Sequence, residues 1–125
     1  MDAHRVLEQF IDAWARRDVD ALMELMTETC VFRSSIGPEP GTTFTGAAAV
    51  RGAYARLLDP ANPPAGTTEQ LEITTGDSFG VVRWTARDSA PDGRPVITRA
   101  VDVFEFDGDR IAVKDTYRKV LGDAP

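Results

Sequence analysis

An α+β domain with three helices laid over one face of a curved antiparallel sheet is the fold class that the patterns in these 125 residues predict. Three observations lead there. In the amino-terminal half apolar residues recur at three- and four-residue spacing, whereas in the carboxy-terminal half they alternate. A proline-dense stretch, DPANPPAG at 59–66, divides the two halves and cannot continue a helix. Helices followed by strands joined by short turns bury their apolar faces against one another as two layers. The whole chain, 1–125, is expected to form one such domain, long enough to bury roughly two thirds of its unfolded surface.

Each element follows from its own residues. From Asp2 to Arg17, Val6, Leu7, Phe10, Ile11 and Trp14 form one apolar stripe between charged positions, which predicts an amphipathic helix. Asp18 suits the cap of a shorter second helix, whose Leu22, Met23, Leu25 and Met26 turn inward. Thr29–Ser34 has the β-branched and aromatic content of a strand, and SIGPEPG after it is a loop. Thr42–Thr45 supports a short strand. A third helix then carries Val50, Tyr54, Leu57 and Leu58 on one face. Strands are expected over 69–75 and 79–87, followed by a long hairpin over 99–119 turning at Asp107-Gly108-Asp109.

Composition excludes several kinds of function. Fourteen basic residues against 20 acidic ones give a net charge of −6, so the summed field repels phosphate backbones and anionic lipid; neither nucleic acid nor a membrane is expected as a partner. No apolar run approaches the length of a membrane span, and MDAHRVLEQF lacks a signal-peptide core. The single cysteine, Cys30, lies in an apolar strand and suits a reducing compartment, so the cytoplasm is the expected location. No metal-ligand set or phosphate-binding loop is present in the sequence, and no cofactor is expected.

The hairpin holds the candidate centre. Ala100, Asp102, Phe104 and Phe106 share one face of its first strand, which puts a carboxylate in a line of core residues. If its surroundings are apolar, desolvation makes Asp102 a neutral donor; if Lys114 or Arg118 lies within about 4 to 6 Å, it stays an anion able to take a proton. Ile111 and Val113 suggest that odd positions of the second strand point inward. Ile97, Val101 and Val103 form an apolar stripe on the opposite face, which a two-fold homodimer would bury.

Four strings, FIDAWARRDVDALMELMTETCVFRS, IGPEPG, TGAAAVRGAYARLL and VDVFEFDGDRI, in this order and spacing resemble the nuclear transport factor 2-like superfamily, in its SnoaL-like and ketosteroid isomerase-like branch. The resemblance implies a cone-shaped half-barrel closed by helices, with an enclosed apolar cavity and frequent dimerisation through the sheet. In the isomerases a helix tyrosine and a protonated aspartic acid stabilise the enolate while a second aspartate moves the proton. Asp102 falls on the oxyanion aspartic acid and Tyr54 on a supporting tyrosine. Phe10 stands where the oxyanion tyrosine would be, and Ser34 where the base would be. Ketosteroid isomerisation by that route is therefore not expected. The Arg-x-Asp set of related epoxide hydrolases and the His-Asp pair of related dehydratases are missing as well, since VVRWTAR fills the middle strand and the lone histidine is His4.

The resemblance also places Lys114, Thr116 and Arg118 inward, and a β-bulge after Ile111 reconciles that with the odd-position pattern. On this reading Asp102 is the acid or base, assisted by Tyr54, Lys114 and Arg118. Trp14, Phe32, Ser34, Trp84 and Thr116 would contact the ligand, a small hydrophobic carbonyl or hydroxyl compound. Three functions stay open: a cofactor-free isomerase- or cyclase-like enzyme, a ligand-binding module of the same fold, and a dimerising interaction protein with a filled cavity.

Overall fold

Nine elements make up the computed structural model, which describes residues 2–38, 41–61 and 67–121. They are α1 (Ala3–Ala15), α2 (Val19–Glu24), β1 (Met26–Arg33), β2 (Thr43–Thr45), α3 (Ala47–Leu57), β3 (Thr67–Thr75), β4 (Phe79–Ser89), β5 (Pro95–Asp107) and β6 (Arg110–Leu121). Most of the proline-dense stretch, 62–66, and residues 39–40 of the first loop lie outside the described residues.

The six strands form one open sheet in the order β2-β1-β6-β5-β4-β3. From β3 to β6 each strand is antiparallel to the next, as a meander requires. The sheet as a whole is mixed, because β6 ends the meander alongside β1 and runs parallel to it. The long connection through β2, α3 and the meander brings the chain back in that direction, which local alternation does not encode. Helices on one face of a curved sheet give the α+β cone that the sequence predicts.

Local chemistry accounts for the boundaries. The Asp2 carboxylate accepts from the Arg5 amide at 3.2 Å and opens α1, and Asp18 accepts from the Ala21 amide at 3.0 Å and opens α2. The second helix stops at Glu24, so Met26 belongs to β1 and not to the helix; its backbone pairs with Ile111 of β6. Alternating Thr27 and Thr29 favour that earlier change to strand.

Gly108, with φ of 63°, sits first in the two-residue turn of the β5–β6 hairpin, a conformation that glycine adopts without strain. Beyond the turn Ile111 pairs with Phe106 and Val113 with Glu105, which leaves Ala112 as the extra residue of a bulge. The bulge switches faces, so Ile111 (0% exposed) and Lys114 (6%) both point toward the helices.

That face is packed by rings. Phe10 of α1 meets Phe104 of β5 edge-on at 5.4 Å, and Trp14 meets Tyr54 of α3 edge-on at 5.2 Å. Tyr54 also contacts Phe32 of β1 at 5.1 Å. Leu7, fully buried, seats α1 against β4 at Gly80, where an added Cβ would stand 2.4 Å from Leu7 Cδ1. Gly80→Ala is expected to overpack this contact and destabilise the fold by about 1–3 kcal/mol. Urea unfolding with a lower midpoint at unchanged slope would bear this out, and an unshifted midpoint would refute it.

Candidate functional site

Strand register builds the centre. Asp102 on β5 lies directly opposite Thr116 on β6 and Val82 on β4, with Lys114 and Trp84 as its diagonal neighbours on the same face. The contacts follow that geometry. The Trp84 indole N–H donates to Asp102 Oδ2 at 3.0 Å, and the Thr116 hydroxyl donates to Oδ1 at 2.5 Å. Lys114 Nζ stands 3.4 Å from Oδ1 and donates to Thr116 Oγ1 at 2.9 Å. Lysine and carboxylate are thus joined twice, directly and through the threonine hydroxyl.

An indole N–H and an ammonium can only donate, so the carboxylate meets them as an acceptor through both oxygens. Its side chain is 12% exposed and that of Lys114 is 7% exposed. Charges withdrawn from water to this degree are tolerated only when each is paired and hydrogen-bonded. Two rings complete the surroundings: the ammonium lies 4.7 Å from the centroid of Trp14 and 4.8 Å from that of Phe32. The neighbourhood of Asp102 is therefore charged and aromatic, and of the two basic residues that the sequence offers as its partner it is Lys114 that stands beside it.

The structure brings Asp102, Lys114, Thr116, Trp84, Trp14 and Phe32 together. Among the described residues, no hydrogen bond or ion pair joins the remaining candidates to Asp102. Tyr54 is fully buried, but its hydroxyl donates to Met26 Sδ at 3.4 Å and not to Asp102. The sequence pattern puts Met26 on the second helix, which hides it as the acceptor, whereas it opens β1. Arg118 pairs across from Ala100 on the same face and is exposed; among the described residues no hydrogen bond or ion pair joins it to Asp102. Ser34 is buried apart from the pair, its Oγ accepting from the Ile36 amide at 3.1 Å. Cys30 is buried, and burial raises its thiol pKa, so it is inert.

Two clefts stand out. One of 390 Å³ opens among Asp2, Arg5, Gln9, Glu24 and Arg110. The other, of 270 Å³, is lined by Ser34, Ile36, Phe44, Ala53, Arg56 and Leu57. Neither includes Asp102, where the expected cavity would lie. Phe44 and Arg56, whose guanidinium lies 5.7 Å from the Phe44 centroid, were not singled out from sequence; a phenylalanine on a three-residue strand carries no distinguishing signal. Among the described residues no group of three or more His, Cys, Asp or Glu side chains is placed to hold a metal ion.

Solved structures share this architecture. An NTF2-like protein of unknown function from Mesorhizobium loti superimposes with a TM-score of 0.72 at 23% identity, covering 95% of each chain. SalBIII, an epoxide hydrolase/cyclase-like enzyme in pyran ring formation in the polyether salinomycin, gives 0.70 at 21% identity over 92% of this chain and 88% of its own. A Catenulispora acidiphila protein with a ketosteroid isomerase-like fold, solved with trimethylamine, gives 0.70 at 15% identity over 93% and 86%. These likenesses define an NTF2-like fold. In sequence, residues 7–114 match the SnoaL-like domain, and the chain belongs to that family. No curated protein matches it.

Burial raises the Tyr54 pKa well above its ordinary value of 10.0, with the negative potentials of Cys30 and Asp102 adding to the shift. In the unfolded chain a tyrosine releases its proton near pH 10, while Tyr54 in the fold keeps it. Its contribution to stability is thus fully present below pH 10 and is lost as pH rises through the folded value. Tyr54→Phe should flatten the alkaline limb of the stability curve, the difference from wild type changing by up to about 1.4 kcal/mol per pH unit above pH 10. Parallel limbs in denaturant titrations at pH 9 to 11 would contradict it.

Proposed function

We propose that this chain is a cofactor-free proton-transfer enzyme of the isomerase or cyclase type, acting on a small hydrophobic carbonyl or hydroxyl compound. The observation that carries the reading is the Asp102–Lys114 contact of 3.4 Å, a base and a hydrogen-bond donor held side by side among aromatic rings. Asp102, ionised, takes a proton from the carbon beside a carbonyl or from a hydroxyl. Lys114 donates to the oxygen on which negative charge develops, a duty that Phe10 cannot perform. Asp102 then returns the proton, and no other reactant is consumed. A positioned base supplies a factor of about 10²–10⁴, and an oxyanion donor about 10²–10³.

Access supports the arrangement. Trp14, Trp84 and Thr116 are only partly buried, so the pair lies one residue from the protein surface. An apolar ligand would approach the pair past these half-buried side chains. Trp84 and Thr116 hold Asp102, and Arg118 stands further out on the same face.

Exchange of α-protons of 2-tetralone in D₂O, followed by NMR, tests this without knowledge of the natural substrate. Wild type is expected to accelerate exchange, and Asp102→Asn, which preserves shape, to lose about 10²–10⁴ of that acceleration while binding the ketone within a few-fold. Equal exchange in both proteins would remove the carboxylate from the mechanism. The second reading is a binding module of the same fold, favoured by the Thr116 and Lys114 donors already gathered on Oδ1. It predicts binding by wild type with no exchange.

We further propose a cytoplasmic homodimer. On the face of the sheet away from the helices, Val81 pairs with Val103 and Val101 with Tyr117, whose side chain is left 58% exposed. A two-fold contact there would bury Val81, Val101, Val103 and Tyr117, with Arg83, Arg99, Glu105 and Asp115 of the same face around them. Light scattering at micromolar concentration should give twice the chain mass for wild type and a monomer for Tyr117→Glu; a monomeric wild type would overturn the proposal. Among the described residues no helix is long and apolar enough to cross a membrane.

A further inference from the structure

The ammonium of Lys114 occupies a position shaped for a cation. Trp14 and Phe32 offer their rings at 4.7 and 4.8 Å, and both rings pack against Tyr54, at 5.2 and 5.1 Å. Asp102 closes the remaining side with its carboxylate, anchored by Trp84 and Thr116. Aromatic faces beside an anion attract positive charge, and organic ammonium ions are bound in such cages. Here the chain supplies the cation itself, on a tether from β6.

We infer that Lys114 is the specificity-determining residue of this centre: by filling the cation position of the aromatic and carboxylate box, it turns organic ammonium ions away and reserves the site for neutral ligands. Shortening Lys114 converts the same centre into a receptor for small alkylammonium ions. The four-carbon stem and the ammonium vacate a space between Trp14, Phe32 and Asp102, and the carboxylate is left without its counter-ion. A methyl- or ethylammonium ion restores both the charge and the ring contacts. This inference deepens the proposed function, with which it shares the site, yet its test reads ammonium binding alone. It can fail while proton transfer stands, and the reverse.

The experiment compares wild type, Lys114→Ala and Lys114→Ala/Asp102→Asn by thermal melting in ethylammonium chloride. Equal concentrations of sodium chloride control for ionic strength, and n-propanol, a neutral molecule of similar size, controls for volume. Lys114→Ala should gain about 5 °C at ten times its dissociation constant for ethylammonium and nothing comparable from either control. Wild type and the double variant should show no ammonium-specific shift. Should Lys114→Ala fail to fold in sodium chloride, restoration of its fold by ethylammonium supports the inference, and failure of ethylammonium to restore it overturns it. A specific shift in wild type, an equal response of Lys114→Ala to n-propanol, or no shift at all would likewise overturn it.

Discussion

A carboxylate and an ammonium 3.4 Å apart on the covered face of the sheet constrain everything packed around them. Withdrawing either charge from water is unfavourable by several kcal/mol, and their attraction offsets this only where the remaining lone pairs and protons find partners. The surrounding residues meet that demand. Trp84 supplies a donor that has no acceptor function of its own, Thr116 both donates and accepts, and two ring faces stand where water would otherwise solvate the ammonium. Removing one ion leaves the other buried and unpaired, a loss of about 3–5 kcal/mol in comparable pairs.

Much of this was legible in the residues, and the parts that were not depend on tertiary pairing and on the direction of side chains. Periodicity located α1, α3 and the meander, because a helix stripe and a strand alternation are local patterns. It placed Asp102 and Trp84 on one face but said nothing of where the indole N–H points, so Trp84 read as a wall and not as a donor. Faces on β6 could not be assigned by counting from Ile111, since Ala112 adds one residue and reverses the count; only the resemblance suggested the bulge. Met26 was assigned to the wrong element, and with it went the partner of the Tyr54 hydroxyl. The misses at Ala112 and Met26 lie at a bulge and at an element boundary, where tertiary pairing overrides local pattern.

The resemblance to ketosteroid isomerases is instructive where it breaks. There an aspartic acid kept neutral by apolar surroundings donates to the oxyanion. Asp102, which the resemblance sets at that position, has the Lys114 ammonium beside it at 3.4 Å. On the proposed function, with Phe10 where the resemblance sets the donor on α1 and Ser34 where it sets the base, the acceptor and donor duties fall to a single pair on β5 and β6.

Stability alone does not account for such a pair. A well-packed apolar pair of similar volume is often neutral or stabilising relative to buried ions, and the face here is otherwise aromatic and aliphatic, so apolar residues would have fitted. The pair also sits at the edge of the buried region, with half-buried Trp14, Trp84 and Thr116 next to it, and not at the deepest point, which Ile111, Phe104 and Val82 fill. A purely structural ion pair has no need of an approach from solvent, whereas one that meets a ligand requires it. The proposed function therefore draws on the position of the charges more than on their presence.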